Sequence, residues 1–150
     1  MSDNTFTLSV VSPDRSLVNE IPVIAVGAKG SEGDFTALPG HVPFLTDLKP
    51  ANMWYRAPDR TQREIFVSGG FVEVLPTKVT VLADSAEYTD EIDPDRAQRA
   101  IQRRQNRQNV LKAMLAKGEI SVAQGEVELR KVEAKLNRSM ARLKAARKNR

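Results

Sequence analysis

Ile92-Asp93-Pro94-Asp95-Arg96-Ala97 is where the chain changes character. Asp93 suits a helix N-cap, because its carboxylate can accept from the first unpaired amides, and Pro94 suits the first helical position, where a missing N–H leaves nothing unsatisfied. Downstream, Ala97, Ala100, Ile101, Leu111, Met114 and Leu115 form an apolar stripe. A helix of about 24 residues, roughly 36 Å long, is predicted from Pro94 to Lys117. Gly118 ends it. Ser121 can cap a second helix that carries Leu129, Val132, Leu136, Met140 and Leu143 at 3 and 4 spacing and runs into the basic tail Lys144 to Arg150. Residues 91–150 therefore read as an antiparallel α-helical hairpin.

Upstream the period is two. Phe6, Leu8 and Val10 alternate with Thr5, Thr7 and Ser9, the pattern of a strand with one buried face. Further β-rich runs lie at Ile21–Val26, Asp34–Leu38, Phe44–Leu48, Met53–Arg56, Glu64–Ser68, Phe71–Leu75 and Val79–Leu82. Between them stand turn sequences such as Ser12-Pro13-Asp14, Pro39-Gly40 and Ser68-Gly69-Gly70. Short strands without intervening helices predict an all-β, antiparallel sandwich of about ten strands over residues 1–90.

Composition narrows the chemistry. The 150 residues include one His and no Cys, which removes a disulfide framework, a thiol nucleophile and a Cys/His zinc site. Residues 1–90 hold 7 basic and 12 acidic side chains, whereas residues 91–150 hold 16 and 7, so a sandwich of charge −5 is joined to a hairpin of charge +9. The apolar runs fall short of the roughly 18 to 20 residues that a bilayer span needs. The start, Met1-Ser2-Asp3-Asn4-Thr5, has neither the basic nor the apolar region of a signal peptide, and a soluble, cytoplasm-facing protein is expected.

No catalytic constellation or metal-ligand set is found. Gly27-Ala28-Lys29-Gly30-Ser31 lacks the spacing of a phosphate loop and precedes a strand. His41 sits in Pro39-Gly40-His41-Val42-Pro43, where a histidine most often hydrogen-bonds its own turn. Trp54 and Tyr55 read equally as sheet packing or as a partner-facing edge. The hairpin stripe is interrupted by Arg104, Gln105, Arg107 and Gln108, and Gly125 costs helicity, so the two arms are expected to hold each other weakly. A nucleic-acid-binding reading of the basic hairpin is disfavoured, because the hairpin has no aromatic residue for base stacking.

The sequence Gly30-Ser31-Glu32-Gly33-Asp34, then Leu38-Pro39-Gly40-His41-Val42-Pro43-Phe44-Leu45-Thr46, then Val67-Ser68-Gly69-Gly70-Phe71-Val72-Glu73-Val74, resembles the ε subunit of F-type ATP synthases. The resemblance covers essentially the whole chain. Ala51-Asn52 departs from the family's frequent Gly, and the hairpin is longer than usual. It implies a non-catalytic central-stalk rotor subunit, with the γ subunit, the membrane c-ring and the catalytic α/β head as partners and no nucleic acid. Membrane association is then expected only through the complex, at the cytoplasmic face of the cell membrane, with a plastid stromal face as second choice. The loop implied to meet the c-ring comprises Ser31, Glu32, Gly33, Asp34 and His41. The γ-binding face is left unassigned.

The resemblance also implies a hairpin that inhibits ATP hydrolysis when extended, with Arg138, Arg142, Arg147 and Lys148 as candidate contacts to the head. An alternative is an ATP-sensing or assembly element without inhibition. No cofactor is required, and ATP is the implied regulatory ligand. Ile92, Asp93, Arg96 and Ala97 match the family's I-D-x-x-R-A motif, joined by Glu87, Arg103, Arg138 and Arg142. A turn centred near Gly118 would put Arg138 and Arg142 level with Gln98 and Pro94, beside Arg96, in preference to the alternative Lys131 and Lys135.

Overall fold

The computed structural model describes residues 4–148, so Asn149 and Arg150 of the expected basic tail lie outside the described residues. Ten strands come first: β1 (Phe6–Ser12), β2 (Arg15–Val23), β3 (Ala25–Gly30), β4 (Gly33–Ala37), β5 (Phe44–Leu48), β6 (Ala51–Arg56), β7 (Gln62–Val67), β8 (Gly70–Leu75), β9 (Lys78–Ala83) and β10 (Ala86–Tyr88). A single 3-10 turn, Thr89–Glu91, leads to α1 (Pro94–Ala116) and α2 (Val122–Lys148). Two compact units divide between Glu91 and Ile92.

In the first unit the strands follow the order β10-β7-β6-β3-β5-β8-β9-β1-β2, with β4 added on β3, and fold over into a β-sandwich followed in sequence by the helical pair. All strand pairs are antiparallel except β1 with β9. That parallel pair corrects the purely antiparallel expectation, and it arises because β1 inserts between its hairpin partner β2 and the late strand β9. The expected strand Ile21–Val26 is also divided. The chain turns at Ile24, whose amide donates to the Arg56 carbonyl at 2.9 Å, so Val23 ends β2 and Ala25 begins β3. Pro22 is tolerated because β2 is at an end of the strand order.

The core is a product of the period-two pattern. Val72 and Val74 of β8 face Val81 and Val79 of β9, which in turn face Val10 and Leu8 of β1, and all six are fully buried. Branched side chains stacked across three strands fill the pleat with little rotamer freedom to lose. Met53, Ile65 and Val26, on β6, β7 and β3, belong to the same buried core. Trp54 lies across Gly27 of the neighbouring strand, where a Cβ would enter the indole ring. The rejected phosphate loop thus contains a glycine that serves aromatic packing.

In the second unit, Asp93 Oδ1 accepts from the amides of Asp95 at 3.0 Å and Arg96 at 3.2 Å, which caps α1 as expected. At its end, Gly118 takes φ +70°, and Glu119 N–H donates to the Met114 carbonyl at 2.9 Å while Gly118 N–H reaches Leu115 O at 3.2 Å. Ser121 Oγ accepts from Gln124 N–H at 3.1 Å and starts α2. Gly125 is buried beneath Leu115, in a space that a Cβ would occupy. Its helical cost is therefore offset by close approach of the two arms.

The second arm presents Val132, Leu136, Ser139 and Leu143 inward. Met140, expected in the stripe, is 51% exposed. Ser139 fills the place instead, with its hydroxyl donating to the Lys135 carbonyl at 3.0 Å.

Gly70, at φ +132°, stands where a Cβ would run into the Leu82 carbonyl. Gly70→Ala combines backbone strain with a backbone collision and should cost about 3 kcal/mol. Denaturant unfolding of the full chain, which should show a lower midpoint, is the measurement.

Candidate functional site

The second unit collects positive charge along a seam that its sequence only half fills. Ala97, Ile101 and Leu111 of α1 are buried, and the positions between Ile101 and Leu111 at the same spacing are Arg104 and Gln108, both half-buried. Gln105 and Arg107, which the sequence also marked as interruptions, point to solvent. A guanidinium thus occupies a place that a packed hairpin would give to Leu.

Arg104 is poorly satisfied there. Its Nη1 donates to the Ala100 carbonyl at a long 3.4 Å, and its Nε is buried with no hydrogen-bond partner among the described residues. Burial, then the charges of Arg103 and Arg138, lower its proton affinity from the usual arginine value. An arginine still stays protonated, so the repulsion cannot be relieved by losing the proton. An anion would relieve it.

The register differs from expectation by about one turn. Because the chain turns through Lys117 to Ser121 and Leu115 sits on Gly125, Arg138 comes level with Gln102 and Arg142 with Gln98. The turn centre lies at Glu119 and Ile120, beyond Gly118. Arg138 therefore joins Arg103 and Arg104, away from the helix start at Arg96. Lys131 and Lys135 fall nearer the turn. Of the motif residues, Ile92 and Ala97 are buried, Arg96 and Arg103 are exposed, and Asp93 is engaged in capping. Arg142 is half-buried, and Arg147 and Lys148 are exposed in the last turn of α2. Glu87 belongs to the first unit, in β10 opposite Phe66.

On the sandwich, the acidic turn and His41 do not form one cluster. Ser31, Glu32, Gly33 and Asp34 are exposed at the β3–β4 hairpin, where Ser31 N–H donates to the Asp47 carbonyl at 3.0 Å and its hydroxyl donates to the Asp47 carboxylate. His41 lies beyond the other end of β4, with Nδ1 2.8 Å from the Val42 carbonyl and its ring 5.3 Å from Phe44. The neighbouring Gly40 amide is tied to the Pro76 carbonyl at 2.8 Å. The extended strand between them holds them apart, which corrects the reading of a single loop. What they share is β4 itself, which among the described residues pairs with β3 alone.

One surface escaped the sequence. Phe71 and Leu82 are directly opposed on β8 and β9 and are 56% and 57% exposed, with Val11 of β1 next in the row and Leu45 of β5 on the same outer face. Alternation predicts that Val72 and Val74 face inward. It does not announce that large apolar residues line up outside, because that alignment depends on the cross-strand register.

A family model described as ATP synthase, Delta/Epsilon chain, beta-sandwich domain matches residues 5–89. The chain is 46% identical over 105 residues to the ATP synthase epsilon chain of Nitratidesulfovibrio vulgaris strain DP4, covering 70% of this chain and 77% of that one. With the epsilon chain of Syntrophobacter fumaroxidans it shares 39% over 141 residues, covering 94% and 95%. Among solved structures, a chain of the Euglena gracilis mitochondrial ATP synthase assembly of OSCP, F1 and c-ring is similar in fold at a TM-score of 0.63 and 21% identity, covering 87% of this chain and 79% of that chain. A chain from the Tetrahymena thermophila mitochondrial ATP synthase central stalk and c-ring gives 0.50 and 14%, covering 57% and 68%.

Replacing the poorly partnered guanidinium by a seam-filling side chain should tighten the hairpin. Arg104→Leu is expected to stabilise it by about 1 kcal/mol, slowing amide exchange along α1 by about fivefold. Hydrogen exchange on the full chain reads this out, and unchanged or faster exchange would show that Arg104 does not weaken the seam.

Proposed function

The chain belongs to the epsilon-chain family of ATP synthases, and on that premise we propose that it is a non-catalytic rotor subunit of the central stalk whose basic hairpin is a mobile brake on ATP hydrolysis. Its partners are then γ, the c-ring and, through the extended hairpin, the catalytic α/β subunits. It would meet the membrane sector from the cytoplasmic face. No helix among the described residues is long and apolar enough to cross a membrane, which fits association through the complex.

The observation that carries the brake reading is the seam. Two long helices with Arg104, Gln108 and Ser139 at inward positions bury less apolar surface than their length allows, so separating them costs little. The same arms carry the +9 charge that draws an extended hairpin toward acidic surfaces of the head. ATP would oppose extension by bridging the arms. Arg103, Arg104 and Arg138 can make charge-assisted bonds to phosphate oxygens, with Arg142 and Arg96 nearer the helix start. A ligand that binds only the closed arms stabilises them by about 2.7 kcal/mol at a hundredfold excess over Kd.

The sandwich offers two surfaces for the two static partners. We assign γ to the outer apolar row of Phe71, Leu82 and Val11, with Leu45 on the same face opposite Glu73, since a rotor contact that carries torque needs a dry core. We assign the c-ring to the rim along β4, from Ser31, Glu32, Gly33 and Asp34 to His41, whose polar character suits hydrogen bonding to polar loops.

Three experiments test this. ATP hydrolysis by the cognate catalytic head, reconstituted at matched occupancy, should rise on replacing the full chain by one ending at Glu91. An equal rate would remove the brake, and if the full chain still binds ATP at equilibrium an ATP-sensing or assembly role remains. For the surfaces, Phe71→Asp should block capture of γ, whereas Glu32→Lys should assemble normally but lower proton pumping per ATP hydrolysed. Normal γ capture by the first, or normal coupling in the second, would withdraw the corresponding assignment.

A further inference from the structure

The last strand of the sandwich is short and is fastened by side chains out of proportion to its ladder. β10 has three residue pairs with β7 and lies at the end of the strand order, where fraying is easiest. Yet Arg15 Nη2 donates to the Ala86 carbonyl at 2.9 Å, the Tyr88 hydroxyl lies 3.1 Å from that of Tyr55, and Thr89 Oγ1 reaches the Glu64 carbonyl at 3.4 Å. Arg63 joins them. Its guanidinium carbon stands 3.6 Å from the Tyr88 ring centroid, and its Nη2 lies 3.8 Å from Asp90 Oδ2.

The placing of these contacts follows from register. Tyr55 of β6 is opposite Arg63 of β7, and Tyr88 of β10 is opposite Ile65, so all four share one face at the rim of the core. The Arg63–Asp90 pair is solvent-exposed and weak alone, whereas the stacked guanidinium and ring add a contact that salt screens less. Burial, then the hydroxyl bond to Tyr88, pushes the Tyr55 phenol up to about 12, so Tyr55 stays neutral at any physiological pH. The fastening ends at Asp90. Capping of α1 begins at Asp93, and the two compact units divide between Glu91 and Ile92.

We propose that Arg63, stacked on Tyr88 and paired with Asp90, is a clasp that fixes the pivot of the hairpin at Glu91–Ile92, so that movement of the helices turns the chain there and does not strip β10 from the sandwich. The role of the pivot rests on the mobile-hairpin reading above; the clasp itself does not. Without the clasp, a force on α1 would be passed to the three-residue ladder of β10 and then to Ala86, which is part of the core.

Two glutamates report on the two sides of the clasp: Glu87 lies within β10 and Glu91 beyond it. A Glu-specific protease acting on the full chain should cut after Glu91 well before Glu87. In Arg63→Gln, cleavage after Glu87 should quicken about tenfold, with cleavage after Glu91 little changed. Arg63→Lys, which keeps the charge for Asp90 but loses the flat stack, should fall between. Amide exchange in β1, β8 and β9, unchanged in both variants, would show that the sandwich remains folded.

Equal cleavage at the two sites in the wild type, or unaltered Glu87 protection in Arg63→Gln, would overturn the clasp. The truncation experiment on ATP hydrolysis reports separately on the brake, so the two ideas fail by different readouts.

Discussion

Three strands carry the rest of the sandwich. The ladder in which Val72 and Val74 of β8 meet Val81 and Val79 of β9, and these meet Val10 and Leu8 of β1, fixes the register of every strand on that side. A slip of any one of these strands by one residue would turn its two core side chains outward, so the hydrophobic effect forbids it. The same register then decides what faces out: Phe71 must stand beside Leu82, with Val11 behind it. The apolar outer row is thus a consequence of the inner one. The conformation of Gly70 belongs to the same constraint, because β8 and β9 come together at a point where the Leu82 carbonyl leaves no room for a side chain.

The helical unit obeys a looser rule. Its ends are well specified, by Asp93 and Pro94 at one end of α1, by the left-handed Gly118 at the other, and by Ser121 before α2. Its middle is not. Leu115 seated on Gly125 brings the arms close near the turn, and Ile101 with Leu136 and Leu143 packs them farther out, but Arg104 and Gln108 lie between. Strong caps with a weak seam suit helices that must stay helical while their partners change. That is the physical basis for reading the hairpin as movable, and Arg104 unites the two halves of the regulatory proposal: it loosens the seam and, with Arg103 and Arg138, gives an anion a reason to close it.

The connection between the units adds a mechanical requirement. In the proposed mechanism an arm attached to a three-residue strand needs its anchorage before the pivot, and the contacts of Arg15, Tyr55, Arg63 and Thr89 all lie on the sandwich side of Glu91. Their concentration on β10 and the turn after it puts the firmly held backbone on the sandwich side of the division between the two units.

Local patterns were enough for the elements. Period-two alternation located β1, β8 and β9, and Ile92-Asp93-Pro94 marked the start of α1, because capping and strand pleating act over a few residues that the sequence displays directly. The motifs around His41 and Gly69-Gly70 were enough for the family. Relations between elements needed the tertiary structure. The parallel β1–β9 pair, the break at Ile24 and the exchange of Met140 for Ser139 all depend on which strand or helix arrives alongside. So do the candidate sites: the separation of His41 from the acidic turn follows from the run of β4, and the placing of Arg138 beside Arg104 from a turn centred at Glu119 and Ile120. Sequence spacing determines which face of an element a residue occupies, whereas its neighbour across the gap is set by packing over the whole unit.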